Sequence, residues 1–347
     1  MNRIIVEGNL LLSERQGLLG EWLQIILGGD APALTAASSD ASARRYWRLQ
    51  HRGESLIAVD APPATENTAA FVRIADALGS IGLNVPAILA ADEERGFLLL
   101  SDLGQRPYLG QLTASNVDRL YGDAIGALIA MQAAGPVIGL PEYDADFLER
   151  ELRLFDQWLL KGLLGLNCSK DERVMLEDAY GTLIASALDQ PRVFVHRDFH
   201  SRNLMLTDHG NPGILDFQDA VLGPVTYDLV SLLRDCYIDW PRESVGDWAA
   251  GYFNLAVQSG MLRSDHEPRF AAWFDLMGMQ RHLKAAGIFS RLWLRDGRRD
   301  YLRYLPRTLN YIVDLEPNYP EVAALTGFLR ERVMPRLALG LIDAGGV

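Results

Sequence analysis

The order of hydrophobic and polar positions in the first hundred residues predicts a small unit of mixed helix and sheet. Helical spacing of apolar residues alternates there with short apolar runs bounded by turn residues such as Gly53, Gly79 and Gly82. The predicted elements are, in chain order, a helix at 13–27, strands at 46–50 and 56–59, a helix at 66–78, and strands at 86–90 and 97–100. From about residue 105 onward apolar residues recur mostly at helical spacing, which predicts a largely α-helical remainder.

One polar segment interrupts the helical pattern of the second part. A short apolar strand at 193–195 precedes it, and turn-rich residues at 208–213 predict a hairpin that pairs 203–206 with 213–215. Such a hairpin would bring Asn203 and Asp216 side by side. Asp198 lies in the loop that leads into the hairpin, so the sequence predicts that these three side chains converge.

The three side chains suit phosphoryl transfer. That chemistry needs a carboxylate to accept the proton of an attacking alcohol, and oxygen ligands that hold Mg²⁺ on the phosphates. Asp198 fits the catalytic role, and Asn203 and Asp216 fit the metal-binding role. If the segment has no catalytic role, the same residues are a carboxylate in a loop, a turn-forming residue and a residue at the end of a strand. The predicted hairpin and the Asp216-Phe217 pair favour the catalytic interpretation.

Composition narrows the class of protein. The chain has 347 residues of which 49% are hydrophobic, which is ample for a buried core. No apolar run approaches the length of about 20 residues that spans a bilayer, and the N-terminus lacks a signal-peptide core, so we expect a cytoplasmic protein without a membrane partner. A net charge of -12 argues against nucleic-acid binding, because such proteins need a basic surface.

The segment His196-Arg-Asp-Phe-His-Ser-Arg-Asn203 and the hairpin after it resemble the catalytic loop and metal-binding hairpin of the aminoglycoside phosphotransferase and choline kinase group of small-molecule kinases. Gly223-Pro-Val-Thr-Tyr-Asp228-Leu strengthens the resemblance, since in that group a similar segment follows the metal-binding Asp and its acid braces the catalytic loop. The resemblance therefore implies structural roles for His196 and Asp228.

The same resemblance implies an α+β, bilobal, protein-kinase-like fold with ATP and Mg²⁺ as cofactors. Residues 1–104 would form the ATP-binding lobe with a small mixed β-sheet, and residues 105–347 the helical lobe for catalysis and substrate binding. Ser101-Asp-Leu-Gly104 resembles the hinge whose backbone pairs with adenine, so nucleotide contacts are expected at Ser101, Asp102 and Leu103. ATP would bind between the lobes, and transfer would be direct, without a phosphoenzyme.

Two parts of the usual ATP site depart from the group's pattern. There is no Gly-x-Gly-x-x-Gly, and a segment of small residues at 38–46 stands where a turn over the phosphates is expected, with candidate contacts at Ser39, Ser42, Arg44 and Arg45. The first lysine is Lys161, so the strand lysine that normally holds the phosphates is missing, and an aliphatic residue or Asp60 stands in its place.

Arginine is the predicted substitute for the missing lysine. Arg44 and Arg45 flank the turn, although solvated arginines at a strand edge are an equally open interpretation. Glu66 has two interpretations as well. It is either the partner of the missing lysine or, more commonly for such a position, an acid in the first helical turn that complements the helix dipole.

A narrower resemblance covers nearly the whole chain and points to the anomeric sugar kinases of bacterial cell-wall recycling. It implies that N-acetylmuramate and N-acetylglucosamine are phosphorylated at carbon 1. The alternatives are an aminoglycoside, choline-type or other small-alcohol kinase, and a nucleotide-binding pseudokinase scaffold, which the missing lysine suggests and the intact acids oppose. The segments that carry this resemblance are Asp60–Pro63, His196–Met205, Leu215–Ala220, Leu233–Pro241 and Met279–Lys284.

The residues expected to contact the amino sugar lie in these last segments. Tyr237 and Trp240 can stack on a sugar face and Asp235 can bind its hydroxyls, but ordinary core packing explains them equally well. A positively charged side chain in these segments would suit the lactyl carboxylate of N-acetylmuramate. The full set of candidates is His200, Arg202, Asp235, Tyr237, Trp240, Gln280, Arg281 and Lys284.

Overall fold

The computed structural model describes residues 2–37, 44–315 and 319–343, and the side chains of 14–37, 44–315 and 319–339. Contacts divide the chain into two compact units. The first consists of Met1–Arg106 with Met205–Gln218, and the second of Pro107–Leu204 with Asp219–Val347. Residues 205–218 thus group with the first hundred residues rather than with the second part of the chain. The assignment of one lobe to ATP and the other to substrate stays a prediction.

The first unit is built on an antiparallel sheet of five strands. Their order is β1-β2-β3-β5-β4, and the hairpin of β2 and β3 sets Tyr46 opposite Val59. Apolar side chains of the first helix, including Trp22 and Leu23, pack on the sheet. The elements are α1 (Asn2–Leu27), β1 (Thr35–Ala36), β2 (Arg45–His51), β3 (Glu54–Asp60), α2 (Thr68–Ser80), β4 (Ile88–Asp92) and β5 (Phe97–Ser101).

Two helix starts differ from the sequence prediction. Helix α1 begins at Asn2 rather than near residue 13. Helix α2 begins at Thr68 rather than 66, because the side chain of Asn67 accepts the N–H of Ala70 and caps the helix. Glu66 therefore precedes the helix, and its interpretation as a first-turn acid is wrong.

The second unit is mostly helical and surrounds a large apolar core to which α8 contributes over its length. The predicted strand at 193–195 is present as β6 (Arg192–Val195). Two short strands, β7 (Leu204–Met205) and β8 (Gly213–Ile214), follow it along the chain, and the next strand, β9 (Val221–Pro224), pairs antiparallel with β6, with Val193 opposite Gly223. No helix among the described residues is long and apolar enough to cross a membrane. The elements are α3 (Val117–Ala134), α4 (Ala145–Leu154), α5 (Lys170–Leu188), β6 (Arg192–Val195), β9 (Val221–Pro224), α6 (Tyr227–Leu233), α7 (Arg242–Gln258), α8 (Glu267–Asp296), α9 (Leu305–Val313), α10 (Ala323–Phe328) and α11 (Met334–Asp343).

A glycine lets α8 approach the end of α4 very closely. A Cβ at Gly287 would lie 2.4 Å from the backbone carbon of Leu154, a distance that no side chain tolerates. The close approach is possible because glycine lacks that atom. One turn earlier on α8 stands Lys284, and one turn earlier on α4 stands Glu151. The packing of these two helices therefore brings a lysine and a glutamate together inside the unit.

Candidate active site

The loop that follows β6 is fixed from inside the second unit. The backbone N–H groups of His196 and Arg197 donate to the two carboxylate oxygens of Asp228, at 2.6 and 2.9 Å. Asp228 is fully buried at the start of α6. Burial raises the pKa of this carboxyl to about 7, although the two N–H donors oppose that shift. These bonds are the contacts expected of an acid that braces the loop.

A second buried acid holds the other end of the loop. Asp235 accepts the backbone N–H of Ser201 at 2.9 Å and its hydroxyl at 2.5 Å, and its other oxygen accepts the N–H of Tyr237. Within the loop, the side-chain nitrogen of Asn203 donates to the carbonyl of Asp198 at 3.0 Å. The amide nitrogen of Asn203 is thus bound to the loop itself, and its amide oxygen is the atom of a type that binds cations.

Asp198 lies between these two braced positions. Its side chain is 43% exposed, so an acceptor molecule can reach the carboxylate. Desolvation alone would raise the pKa of Asp198, but the charges of Lys284 and Arg197 contribute to holding it below its ordinary value. Arg197, the preceding residue, has a φ of 76°, a left-handed conformation that is strained for a long side chain. The geometry therefore presents an ionised carboxylate on a rigid loop.

The strained Arg197 is tied to a buried glutamate that the sequence analysis missed. Glu151 accepts hydrogen bonds from Arg197 Nη2 at 2.6 Å and from Tyr143, and Lys284 Nζ lies 2.9 Å from it. Lys284 also donates to the hydroxyl of Tyr227 at 2.8 Å. The signal for Glu151 is its position on the apolar face of α4, because a carboxylate at such a position needs a buried cation.

The predicted sugar-binding residues near the loop form a cluster of rings around one cation. The guanidinium of Arg202 lies over the rings of Tyr237 and Tyr301, 4.8 and 5.4 Å from their centroids, and donates to the Tyr301 hydroxyl. The imidazole of His200 packs edge-on against Tyr237. Burial lowers the pKa of His200, and its Nδ1 has no hydrogen-bond partner among the described residues.

The other five predicted sugar ligands already have contacts within the protein, one of them Arg281, which donates to the sulfur of Cys236. Trp240 donates to the hydroxyl of Tyr121 and packs among aromatic rings. Gln280 is fully buried near Glu151. Lys284 pairs with Glu151, as described, and Asp235 braces the loop. For all five residues a sugar contact stays a prediction, and their internal bonds compete with it.

In the first unit, Asp216 lies two residues after the end of β8 (Gly213–Ile214), which pairs with β7 (Leu204–Met205). Its φ is 64°, a conformation that Asp adopts more readily than most residues. The side chain of Gln218 donates to its Oδ1 at 2.8 Å, and the next residue, Phe217, packs against Phe71 of α2. The backbone around Asp216 is therefore fixed by its own unit.

Carboxylate and amide oxygens such as those of Asp216 and Asn203 are ligands that Mg²⁺ prefers. The described residues contain no cluster of three His, Cys, Asp or Glu side chains suited to a metal ion. A magnesium ion carried on a nucleotide does not need one, because phosphate oxygens and water complete its shell. The donor types present fit such an ion.

The region predicted to hold phosphates shows one buried ion pair. Arg44, which immediately precedes β2, lies 2.6 Å from Glu66, and both side chains are largely buried. Arg45 is the first residue of β2. Ser39 and Ser42, also predicted to contact the nucleotide, lie outside the described residues. Asp60, in the strand that would carry the missing lysine, is paired instead with Arg15 of α1 at 2.5 Å.

The predicted hinge follows β5. Asp102 accepts hydrogen bonds from Arg48 and Ser55, both at 2.6 Å, and from the N–H of Gly104. Burial would raise the pKa of Asp102, but these donors lower it below its ordinary value. The carboxylate therefore ties the hinge segment to β2 and β3, while the contacts of Ser101, Asp102 and Leu103 with adenine stay predictions.

Comparison with known proteins places this loop and hairpin in a family. A model of the phosphotransferase enzyme family matches residues 33–273. The chain belongs to this phosphotransferase family. It is therefore a kinase with an alcohol group as acceptor, as the sequence predicted.

Two relatives align over nearly the whole chain. A protein of Pseudomonas putida is 46% identical over 305 residues, which cover 87% of this chain and 90% of the relative. One of Neisseria meningitidis is 40% identical over 325 residues, which cover 92% and 96%. Both are named N-acetylmuramate/N-acetylglucosamine kinase. The resemblance predicted from the sequence is confirmed by these matches.

Solved structures confirm the predicted kinase-like fold. Choline kinase LicA from Streptococcus pneumoniae matches with a TM-score of 0.61 at 11% identity, covering 87% of this chain and 99% of that protein. The aminoglycoside phosphotransferase APH(4)-Ia, in a complex with ADP and hygromycin B, matches with a TM-score of 0.57 at 14% identity, covering 84% and 97%. At these identities the likeness shows the fold of the phosphotransferase family alone.

Proposed function

We propose that this kinase transfers the γ-phosphoryl group of ATP to the anomeric hydroxyl of N-acetylmuramate and N-acetylglucosamine, in the cytoplasm and as a step of cell-wall recycling. The observation that carries the proposal is the match to relatives of that name at 40–46% identity across nearly the whole chain. The site supports it with an ionised, reachable carboxylate at Asp198 on a braced loop.

The proposed chemistry follows from the properties of the acceptor. The anomeric hydroxyl attacks in line, and Asp198 accepts its proton. An anomeric hydroxyl is more acidic than an ordinary alcohol, so a carboxylate whose pKa is lowered can still assist its deprotonation. Bound Mg²⁺ would neutralise charge on the phosphates, with Asn203 and Asp216 as its proposed ligands. Asp228 is proposed as structural support for the loop.

The test of the acceptor position compares a free sugar with a capped one. With ATP and Mg²⁺, N-acetylglucosamine is expected to give a product that no longer reduces, because its carbon 1 carries the phosphate. The methyl glycoside of N-acetylglucosamine, whose anomeric oxygen is blocked, is expected to show no turnover. The measurements are coupled ADP release and assignment of the phosphate position by NMR.

The possible outcomes separate the alternatives. A 6-phosphate that still reduces, or turnover of the methyl glycoside, would exclude the anomeric position and leave the kinase assignment intact. Choline and an aminoglycoside in the same panel test the acceptors found among the structural neighbours. Absence of ADP release with every acceptor would favour a nucleotide-binding scaffold.

The ion pair of Arg44 and Glu66 supports a further proposal about ATP binding. In related kinases a strand lysine pairs with a helix glutamate and contacts the phosphates. Here no lysine precedes Lys161, and the buried pair joins an arginine beside the predicted phosphate turn to a glutamate just before α2. We therefore propose that Arg44 takes the place of that lysine and that Glu66 holds it.

Arg44→Ala is expected to raise the KM for ATP about tenfold, because a charged hydrogen bond to phosphate is lost. Arg45→Ala is the matched neighbour and is expected to have the smaller effect. Steady-state kinetics at saturating sugar measure both. If Arg44→Ala keeps the ATP KM and kcat of the wild type, the pair with Glu66 only stabilises the first unit, and the phosphates are held by backbone and metal.

A further inference from the structure

Arg281 is a buried cation without an anionic partner at close range. The residue lies on α8 and is 6% exposed, and among the described residues no carboxylate lies within ion-pair distance of it. Its Nη1 donates to the sulfur of Cys236 at 3.6 Å, which is a weak acceptor, and its buried Nε has no hydrogen-bond partner among the described residues. Burying a guanidinium in this way costs free energy unless an anion compensates it.

Unlike Arg281, the other cations around the catalytic loop have close partners within the protein. Arg197 and Lys284 share the carboxylate of Glu151, at 2.6 and 2.9 Å. Arg202 stacks on two tyrosine rings and donates to a tyrosine hydroxyl. Arg281 contacts Cys236, the neighbour in sequence of Asp235, and Asp235 braces the loop that carries Asp198, so Arg281 belongs to the same region of the second unit. Among these four, Arg281 is the one whose guanidinium contacts no carboxylate, hydroxyl or aromatic ring at close range in the described residues, although the charges of Asp235 and Asp198 act on it from farther away.

We propose that Arg281 is the receptor for the lactyl carboxylate of N-acetylmuramate, the group that distinguishes this sugar from N-acetylglucosamine. The inference rests on the proposed function. A guanidinium that has no carboxylate partner can bind one through two parallel hydrogen bonds, which a hydroxyl or an amide cannot reproduce. The phosphates have other proposed partners, namely Arg44 and a magnesium ion held by Asn203 and Asp216. Among the predicted sugar ligands, Arg281 is the cation with the fewest contacts inside the protein, so we assign the lactyl carboxylate to it.

The test compares N-acetylmuramate with its carboxamide, in which the lactyl group keeps its shape and loses its charge. Wild-type protein is expected to prefer the acid in kcat/KM by about 10- to 100-fold, the range for a charged, bidentate contact. In Arg281→Gln this acid-to-amide ratio is expected to fall to about one. The ratio is insensitive to a general loss of activity, because both substrates meet the same altered protein.

Arg202→Gln is the matched variant, since Arg202 is another cation of the same loop region, and it is expected to keep the preference for the acid. If wild-type protein does not distinguish acid from amide, or if Arg281→Gln keeps the wild-type ratio, the proposal is overturned. The first of these results needs no variant and stands even if Arg281→Gln does not fold. If wild-type protein phosphorylates neither sugar, the proposed function itself fails, which is a different result.

Discussion

Asp198→Asn is expected to lower kcat by about 10²- to 10⁴-fold, the usual contribution of a general base. Asparagine has nearly the same shape, but it cannot accept the proton of the attacking hydroxyl. The KM for ATP is expected to change little, because the proposed contacts of Asp198 are with the acceptor. Steady-state rates with N-acetylglucosamine measure the loss.

The control for this variant is its stability. Asp198 is partly exposed, and among the described residues the one titratable side chain within ion-pair distance of its carboxylate is the imidazole of His200, at 3.9 Å, so the melting temperature is expected to stay close to that of the wild type. Asp178→Asn, at an exposed position of α5, is a matched carboxylate change that should leave kcat unaltered. Turnover near the wild-type rate in Asp198→Asn would remove Asp198 from the mechanism.

The parts of the fold and site that the sequence predicted are those encoded locally. Short apolar runs and nearby turn residues predicted the strand before His196, the hairpin before Asp216 and strands β2, β3 and β5 of the first unit. Strand β4 lies two residues later than predicted, and β1 was not predicted. The spacing from Asp198 to Asn203 lies within one loop, so its chemistry could be inferred without knowing the rest of the fold. Local encoding also explains why the family resemblance was visible.

What the sequence could not show depends on contacts between distant segments. Glu151 meets Lys284 only because Gly287 lets α8 approach the backbone of α4. No pattern within either helix identifies the other as its neighbour. The sequence could therefore not show that Lys284, a predicted sugar ligand, pairs with a buried glutamate, and its contact with the sugar stays a prediction.

The N-terminal cap of α2 determines which interpretation of Glu66 fits the structure. The sequence placed it in the first turn of α2, where an acid complements the helix dipole. Asn67 caps the helix instead, which moves Glu66 outside it and next to Arg44. Of the two interpretations that the sequence left open, the difference of two residues in the helix boundary excludes the first-turn acid, and the role of Glu66 as partner of a phosphate-binding cation stays a proposal.

Asp216→Ala is expected to abolish measurable activity, because it removes the charged ligand proposed for Mg²⁺. Added Mg²⁺ should restore activity only weakly, since the remaining proposed ligand, Asn203, is neutral. Rates measured across a Mg²⁺ titration give both results. The φ of 64° at this position complicates the alanine variant, because Ala tolerates a left-handed backbone less well than Asp does.

Asp216→Asn separates the two effects. Asn tolerates the same backbone conformation and keeps an oxygen that can accept from Gln218, but it lacks the charge that attracts the metal. Its melting temperature is therefore expected to match the wild type while its activity falls nearly as far as that of Asp216→Ala. If Asp216→Asn retained the rate and the Mg²⁺ dependence of the wild type, Asp216 would not be a metal ligand, and the loss in Asp216→Ala would reflect only the strained backbone.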